Sequence, residues 1–173
     1  TAGTAADCFV NNTPYPAEDY DKTPLHGQGY QTCSYTIATG KYDTNCGTPT
    51  FTKCDAGYWN DGSYVNADGA RDCALVGVYH YSPADALERS PCLNGGTTGK
   101  DDAADITECY LNNIACDIQN GTGNQDICYF ETIGYTNCSD CYVTSCDETF
   151  SQVGNACVNC AENHFCTGGQ EFS

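Results

Sequence analysis

Cysteine is the residue that most constrains how this chain can fold. Fifteen of its 173 residues are cysteine, and six of these lie between Cys138 and Cys166. This share is close to the roughly 8–10% that marks short secreted chains built on disulfides. If these cysteines pair, covalent bonds rather than a large apolar core hold the backbone in place.

The residues that normally build a core are scarce. Ile, Leu, Val and Phe together account for 24 of 173 residues, and the net charge is −17. Without crosslinks such a composition predicts a disordered chain. A disulfide typically contributes about 2–4 kcal/mol, so about seven of them would offset the missing core. We therefore predict a small disulfide-rich fold, mostly β and irregular, with short hairpins joined by about seven disulfides and little helix.

Such a framework requires an oxidising compartment, which predicts an extracellular or cell-surface protein. Residues 1–7 lack the basic and apolar regions of a signal peptide, so we expect a mature or trimmed product. No apolar run approaches the length of a membrane span. Residues 101–173 contain twelve Asp and Glu and no Lys or Arg, which argues against nucleic acid and anionic membranes as partners.

Composition along the chain predicts three parts. Residues 1–32 hold one cysteine and several Pro and Gly, which favours an extended arm that packs either on its own subunit or on a neighbouring molecule. Residues 33–92 form a first cysteine-rich β module. Residues 93–173 form a second cysteine-rich module with an acidic surface.

Local patterns predict several elements. Alternating Thr, Tyr and apolar residues in 33–54 predict a hairpin. The phrase Asn120-Gly-Thr-Gly-Asn-Gln-Asp predicts a turn over residues 120–126 that leads into a strand from Ile127. The segment 101–111 has an acidic first turn and places Ile106 and Tyr110 on one helical face, so it is the best helix candidate.

Three phrases carry a resemblance to known proteins. They are Cys54-Asp-Ala-Gly-Tyr-Trp, Gly77-Val-Tyr-His-Tyr-Ser-Pro, and Cys157-Val-Asn-Cys-Ala-Glu-Asn-His-Phe-Cys. The chain resembles the cysteine-rich repeat proteins of cell surfaces, which include EGF-like, TNF-receptor-like and ephrin-receptor-like modules and surface coats of protists and bacteria. The resemblance implies a structural, adhesive or ligand-binding ectodomain without catalysis, and no particular ligand. The chain departs from that pattern because its cysteine spacing is irregular and no module repeats at a fixed period.

The odd number of cysteines predicts that one is unpaired or bonds another chain. Cys8 and Cys166 are the candidates for this inter-subunit or unpaired role. The remaining thirteen are assigned to the disulfide framework: Cys33, Cys46, Cys54, Cys73, Cys92, Cys109, Cys116, Cys128, Cys138, Cys141, Cys146, Cys157 and Cys160.

Two kinds of metal site compete with these interpretations. The pairs Cys138/Cys141 and Cys157/Cys160 have the spacing of a four-cysteine zinc ribbon, but the other cysteines nearby favour disulfides over zinc. Calcium has acidic candidates in two segments, although neither follows the EF-hand pattern, and solvated acidic loops are the preferred interpretation. These candidates are Asp61, Asn66, Asp68, Asp72, Asp101, Asp102 and Asp105. We therefore expect no cofactor, with calcium as the open alternative.

Catalysis has little support in the sequence. His26, His80 and His164 lie beside turn or aromatic residues, and no serine-hydrolase, zinc-protease or phosphate-loop motif occurs. A redox pair at Cys138 and Cys141 would need the βαβ pattern of a thioredoxin, which is absent. We do not expect an enzyme.

Asn11, Asn120 and Asn137 each begin an N-glycosylation motif, which predicts exposed loops if the source glycosylates its proteins. The function predicted first is a secreted structural protein, a subunit of an extracellular filament or cell-surface coat that associates with itself or with other surface proteins. The alternative is a monomeric binding module, a receptor ectodomain or adhesin fragment that recognises protein or glycan.

Overall fold

The computed structural model describes residues 9–17, 25–36 and 41–173. The described residues contain sixteen β-strands, two short 3-10 helices and no α-helix. The first eight strands are β1 Phe9–Tyr15, β2 Gly27–Thr36, β3 Lys41–Cys46, β4 Thr50–Cys54, β5 Tyr58–Trp59, β6 Ala74–Leu75, β7 His80–Tyr81 and β8 Ser90–Pro91. The others are β9 Tyr110–Ile118, β10 Gly121–Glu131, β11 Gly134–Cys138, β12 Tyr142–Cys146, β13 Phe150–Val153, β14 Ala156–Asn159, β15 Phe165–Thr167 and β16 Gln170–Phe172.

The chain divides into two units. The first comprises the described residues up to Pro91 together with Thr98–Asp105, and the second comprises Cys92–Thr97 and Ile106–Ser173. Each unit contains one four-stranded antiparallel sheet followed by two short ribbons of two strands.

In the first unit, β2 is the central strand of the sheet. β1 pairs along one side of β2, while β3 and β4 pair with opposite halves of its other side. This arrangement confirms the hairpin predicted over residues 33–54. The ribbons β5–β6 and β7–β8 follow. A small core packs Phe51 against the disulfide between Cys54 and Cys73.

In the second unit, β10 is the central strand. β9 pairs along one side of β10, and β11 and β12 pair with opposite halves of the other side. The turn at Gln119–Asn120 joins β9 to β10, and Asn120 has a positive φ of 61°. The strand predicted from Ile127 is confirmed, but the turn predicted over residues 120–126 is wrong beyond Asn120, because β10 begins at Gly121 and pairs there with β9 and β12. The ribbons β13–β14 and β15–β16 complete the unit.

The helix predicted over residues 101–111 is wrong. This segment contains only a 3-10 turn at Ile106–Glu108, and Tyr110 begins β9. The physical reason is tertiary: Cys109 is bonded to Cys92, and the backbone of Tyr110 pairs with Thr97 on one side and with Tyr129 on the other. These contacts override a weak local helix preference.

Disulfides take the place of a conventional core. Of the thirteen buried apolar residues in the described part of the chain, eight are cysteines. Seven disulfides, short hairpins and almost no helix confirm the predicted fold class. None of the described residues belongs to a helix that is long and apolar enough to cross a membrane.

The described part of the predicted N-terminal arm lies on its own chain. Phe9–Tyr15 forms β1 and pairs with β2, whose span of Gly27–Thr36 includes the boundary predicted at residue 32. The part of the arm before Phe9 and residues 18–24 lie outside the described residues. The predicted division into 1–32, 33–92 and 93–173 stays a prediction.

Candidate assembly interface

Fourteen of the fifteen cysteines are bonded to one another, and every bond lies within one unit. The bonds are Cys33–Cys46, Cys54–Cys73, Cys92–Cys109, Cys116–Cys141, Cys128–Cys138, Cys146–Cys157 and Cys160–Cys166. Such a set indicates folding outside the reducing cytosol. Cys8 lies outside the described residues, and the other fourteen cysteines leave it no partner in this chain.

Cys166 is not an unpaired cysteine. It lies in β15 and is bonded to Cys160, with their Cα atoms 6.0 Å apart. The expectation of an inter-subunit role for Cys166 is therefore wrong. The turn between these residues, where the His164 N–H donates to the carbonyl of Ala161 at 3.1 Å, brings the two sulfurs together.

The four cysteines with zinc-ribbon spacing belong to four different disulfides. Each of Cys138, Cys141, Cys157 and Cys160 is bonded to a cysteine outside this set. Among residues 9–17, 25–36 and 41–173, no three His, Cys, Asp or Glu side chains form a group that could hold a metal ion.

The acidic residues considered for calcium shape turns in the first unit. The carboxylate of Asp61 accepts the N–H groups of Ser63 at 2.8 Å and of Tyr64 at 2.5 Å. The side-chain oxygen of Asn66 accepts those of Asp68 and Ala70, both at 3.0 Å. These oxygens have backbone partners, and calcium binding stays a prediction.

The first open surface is the edge of β1. This strand pairs with β2 on one side and with no described strand on the other. The side chain of Phe9 is 62% exposed, and that of Val10 beside it is also exposed. An open strand edge carries unpaired backbone groups that can pair with another chain. The first described residues of the chain thus combine free backbone groups with exposed apolar side chains.

In the second unit, the first strand of the sheet is β9, and its outer edge is occupied at Tyr110. Cys92 is bonded to Cys109, and the backbone N–H groups of Thr97 and Tyr110 each donate to the carbonyl of the other, at 2.9 and 2.8 Å. The hydroxyl of Tyr135 donates to the carbonyl of Leu93 at 2.7 Å. A disulfide, a pair of backbone hydrogen bonds and a side-chain hydrogen bond therefore fasten Cys92–Thr97 to this unit.

The last hairpin of the second unit presents a second apolar surface. The rings of Phe165 and Phe172 stack with their centroids 5.2 Å apart, and 62% of Phe165 is exposed. Beside them, His164 Nδ1 lies 3.7 Å from Glu171 Oε1. A cavity of about 310 Å³ adjoins this hairpin and is lined by Glu148, Thr149, Cys160, His164, Phe165, Cys166 and Thr167. The hairpin was not singled out from the sequence, because its strands have only three residues each.

A smaller cavity of about 220 Å³ lies in the first unit. The ring of His26 stacks on that of Tyr58 with centroids 3.9 Å apart, and the exposed Tyr64 and the buried Asp72 are among the other residues that line the cavity. Asp72 accepts the N–H groups of His26 at 2.7 Å and Cys73 at 2.8 Å. Burial nevertheless raises the pKa of Asp72. Burial also raises the pKa of Tyr58, and Asp102 and Asp72 add to that shift.

The three glycosylation motifs occupy different settings. Asn11 is exposed in β1 and accepts a hydrogen bond from the hydroxyl of Thr32 at 3.0 Å. Asn120 is half-buried in the turn before β10, and Asn137 is exposed in β11. Glycosylation at these positions stays a prediction.

Comparison with family models, with curated proteins and with solved structures found no match for this chain. The resemblance to cysteine-rich surface proteins stays a prediction.

Proposed function

We propose that this chain is a secreted structural protein whose copies join into an extracellular filament or a cell-surface coat. The observation that carries the proposal is the cysteine inventory, in which fourteen cysteines are bonded within the two units and Cys8 is left over. In an oxidising compartment a leftover cysteine favours a bond to another molecule.

The open surfaces support assembly at both ends of the described chain. Phe9 and Val10 are exposed on the free edge of β1, and Phe165 and Phe172 are exposed on the last hairpin. Strand edges are common sites for adding a strand from a partner, and exposed aromatic rings are typical of interfaces. Cys8 directly precedes the first of these surfaces in the sequence.

Charge supports control of assembly. The net charge of −17 keeps separate copies apart in dilute buffer, and salt weakens this repulsion. The second unit contains no Lys or Arg, so its carboxylates repel those of another copy without basic partners of their own.

The test compares native material on gels with and without reduction, after free thiols have been alkylated. We expect a disulfide-linked dimer that collapses to a monomer on reduction, because each chain has one cysteine outside the seven disulfides. The Cys8→Ser variant is the matched control: it should lose the dimer while its intact mass still shows seven disulfides. A monomer that carries one alkylated thiol in native material would refute covalent assembly.

The alternative function is a monomeric binding module that recognises protein or glycan. The cavity beside His26 favours it, because an aromatic ring from Tyr64 and the carboxylate of Asp72 meet there. The side-chain nitrogen of Asn66 is buried at this cavity without a hydrogen-bond partner among the described residues. Pockets that bind polar ligands combine aromatic walls with a few placed polar groups.

The alternative is tested by titrating monosaccharides into the isotope-labelled chain and following backbone amide shifts. Binding should move the amides of residues 64–73 and be lost in Tyr64→Ala, while Tyr79→Ala, which removes an exposed ring elsewhere in this unit, should bind as the parent does. No shift at millimolar sugar would remove the glycan form of this alternative.

A further inference from the structure

The two units are built on the same plan. In each, the second strand is central, the first strand pairs along one side, and the third and fourth strands pair with opposite halves of the other side. In each, the third strand lies against the C-terminal half of the central strand and the fourth against its N-terminal half. Two ribbons then follow in the same order.

Both disulfides of the first unit have counterparts in the second unit, which has three further disulfides of its own. Cys33–Cys46 and Cys128–Cys138 each join directly opposed residues of the second and third strands, with Cα atoms 3.9 Å apart. The next bond in each unit joins the end of the fourth strand to the ribbon that follows it. The residue pairs in equivalent positions include Gly27 and Gly121, Cys33 and Cys128, Cys46 and Cys138, Cys54 and Cys146, Gly57 and Thr149, Cys73 and Cys157, and His80 and His164.

The irregular features match as well. Both fourth strands contain a bulge at the same register position, where a threonine hydroxyl donates to the central strand. Thr52 Oγ1 donates to the carbonyl of Gln28 at 3.2 Å, and Thr144 Oγ1 to that of Thr122 at 3.1 Å. Bulges are specific features of a fold, so their coincidence identifies two copies of one repeat. The first copy spans residues 8–91 and the second spans residues 109–173.

The repeat is also visible in sequence at the start of each copy. Cys8-Phe-Val-Asn-Asn corresponds to Cys109-Tyr-Leu-Asn-Asn, and the second Asn of each phrase has a positive φ, 57° at Asn12 and 54° at Asn113. Phe9 and Tyr110 hold equivalent positions because each begins its strand opposite the residue after the disulfide-bonded cysteine of the central strand. Cys8 is therefore the sequence counterpart of Cys109.

In the second copy, the residues equivalent to Cys8 and Phe9 are bonded to a defined segment of the chain. Cys109 is bonded to Cys92, and Tyr110 exchanges backbone hydrogen bonds with Thr97. The segment Cys92–Thr97 directly follows β8, the last strand of the first copy. The segment that directly follows one copy thus covers the first strand of the next copy.

No residue of 9–17, 25–36 or 41–173 covers the same position in the first copy in this way. Phe9 is 62% exposed, whereas its counterpart Tyr110 is half-buried. No described residue forms with Phe9 the bridge that Thr97 forms with Tyr110. The chain's own Cys92 cannot serve Cys8, because it is already bonded to Cys109.

We propose that Cys8 and the free edge of β1 form a docking site for a segment like Cys92–Thr97 that follows the last strand of another copy of this repeat. Joining breaks two S–H bonds and forms one S–S bond. The two protons and two electrons pass to a disulfide of the thiol–disulfide oxidoreductase class, which is reduced to two thiols. The inference rests on the proposed function in one respect, since it names the partner through which subunits join.

Two sources can supply this segment with the same chemistry: a repeat that precedes Cys8 in a longer polypeptide, or a repeat in a separate chain. Mapping of disulfide-linked peptides from unreduced native material separates them, because only a separate chain yields a linked species that reduction splits into two chains. We expect the Cys8 peptide to be bonded to a cysteine that follows a short strand of the β8 type. A bond to a second Cys8, to glutathione or to no cysteine would overturn the proposal.

Recognition is tested separately with a synthetic peptide of residues 90–99 whose Cys92 carries glutathione as a mixed disulfide. The full chain with Cys8 as a free thiol attacks this disulfide, forms the new S–S bond and releases glutathione, which is measured. We expect coupling at least about tenfold faster than with a peptide of the same residues in shuffled order, because docking holds the sulfurs together. Cys8→Ser should not couple, and Phe9→Ser should react with both peptides at the shuffled rate.

Equal rates for the two peptides with the parent chain would show that Cys8 selects no segment and would refute the docking site. The result is independent of the gel experiment. A monomeric native protein that still selects the peptide would refute covalent assembly alone, and a dimer formed through a Cys8–Cys8 bond would refute docking alone.

Discussion

Asp72 is a carboxyl group buried in a protein that has few buried side chains. Only 3% of the residue is exposed, and its carboxylate accepts the N–H groups of His26 and Cys73. These hydrogen bonds favour the charged form, but burial outweighs them and raises the pKa of Asp72 above its ordinary value of 3.8. The folded chain therefore holds this proton to a higher pH than the unfolded chain does.

The direction of this pKa shift determines how the free energy of unfolding depends on pH. Below pH 3.8 both states are protonated, and as the pH rises from there the unfolded state loses the proton first, so stability falls until the folded state also loses it. In Asp72→Asn this loss is absent. The variant's free energy of unfolding relative to the parent should therefore increase between pH 3.5 and pH 7, as measured by urea unfolding at both values. Asp68→Asn, at an exposed neighbour, is the control, and a constant difference for Asp72→Asn would contradict the argument.

Thr149 is a β-branched residue with φ of 75°, a region that favours glycine. Its counterpart in the first copy is Gly57, with φ of 82°. Thr149→Gly should raise the free energy of unfolding by about 1 kcal/mol, because the strain of the left-handed conformation exceeds the added freedom of the unfolded chain. Denaturant midpoints measure the effect. Thr167→Gly, in the extended strand β15, should lower stability, and a loss at both positions would show that Thr149 is unstrained.

At the scale of elements, hairpins were easier to predict than helices. The strand from Ile127 was predictable from its own residues. The turn predicted over residues 120–126 was too long, because pairing of β10 with β9 and β12 already begins at Gly121. The segment around Ile106 was mispredicted because its acidic first turn is a local signal, while the contacts that decide its structure come from Cys92, Thr97 and Tyr129. Those partners lie outside residues 101–111, so the helix propensity of that segment does not reflect them.

The repeat was missed for a different reason. Loops of unequal length separate its equivalent positions, so Cys73 and Cys157 lie 84 residues apart while Gly27 and Gly121 lie 94 apart. A search for a fixed period fails on such spacing, and the phrase Cys-aromatic-aliphatic-Asn-Asn at Cys8 and Cys109 was the signal that remained. Aligning the two copies by strand register recovers the equivalent residues, because register does not depend on loop length.

Gly121, in the central strand β10, tests how tightly the second copy of the repeat packs. A Cβ at Gly121 would meet the carbonyl of Ser145 and lie 2.7 Å from the sulfur of Cys157. Gly121→Ala should therefore lower the free energy of unfolding by about 1–3 kcal/mol, as overpacking does. Gly134→Ala is the matched control, since a Cβ there meets nothing within 4 Å, and its effect should stay within about 0.5 kcal/mol. Chemical denaturation distinguishes them, and equal losses would contradict close packing at Gly121.

At the scale of the molecule, composition was the strongest guide. Few aliphatic residues, many cysteines and high negative charge predicted a disulfide framework, and eight of the thirteen buried apolar residues described are cysteines. Composition cannot assign pairs, however. The exclusion of Cys166 as the leftover cysteine required the Cys160–Cys166 bond, which depends on a turn around His164 that no cysteine count reveals.

The closed disulfide sets of the two units lead to a prediction about autonomy. Residues 92–173 contain ten cysteines, all bonded to one another, and the segment Cys92–Thr97 already covers the first strand of this part. Because no bond needs a cysteine before Cys92, residues 92–173 produced in an oxidising compartment should fold alone with five native disulfides. Intact mass should be lower than the reduced mass by ten hydrogen atoms, and peptide mapping should recover the five native pairs.

A shorter fragment that lacks Cys92 is the matched control for this prediction. Residues 98–173 lack Cys92, so Cys109 should stay free and react with an alkylating reagent, while the other four bonds of the second unit form as before. That fragment reproduces at Cys109 the state inferred for Cys8, an uncovered first strand beside a cysteine without a partner. The Cys109 thiol should then attack the peptide of residues 90–99 that carries Cys92 as its glutathione mixed disulfide, form the new S–S bond and release glutathione faster than with the shuffled control. Scrambled pairs in both fragments would instead show that the framework forms only in the whole chain, and the repeat would be a unit of architecture but not of folding.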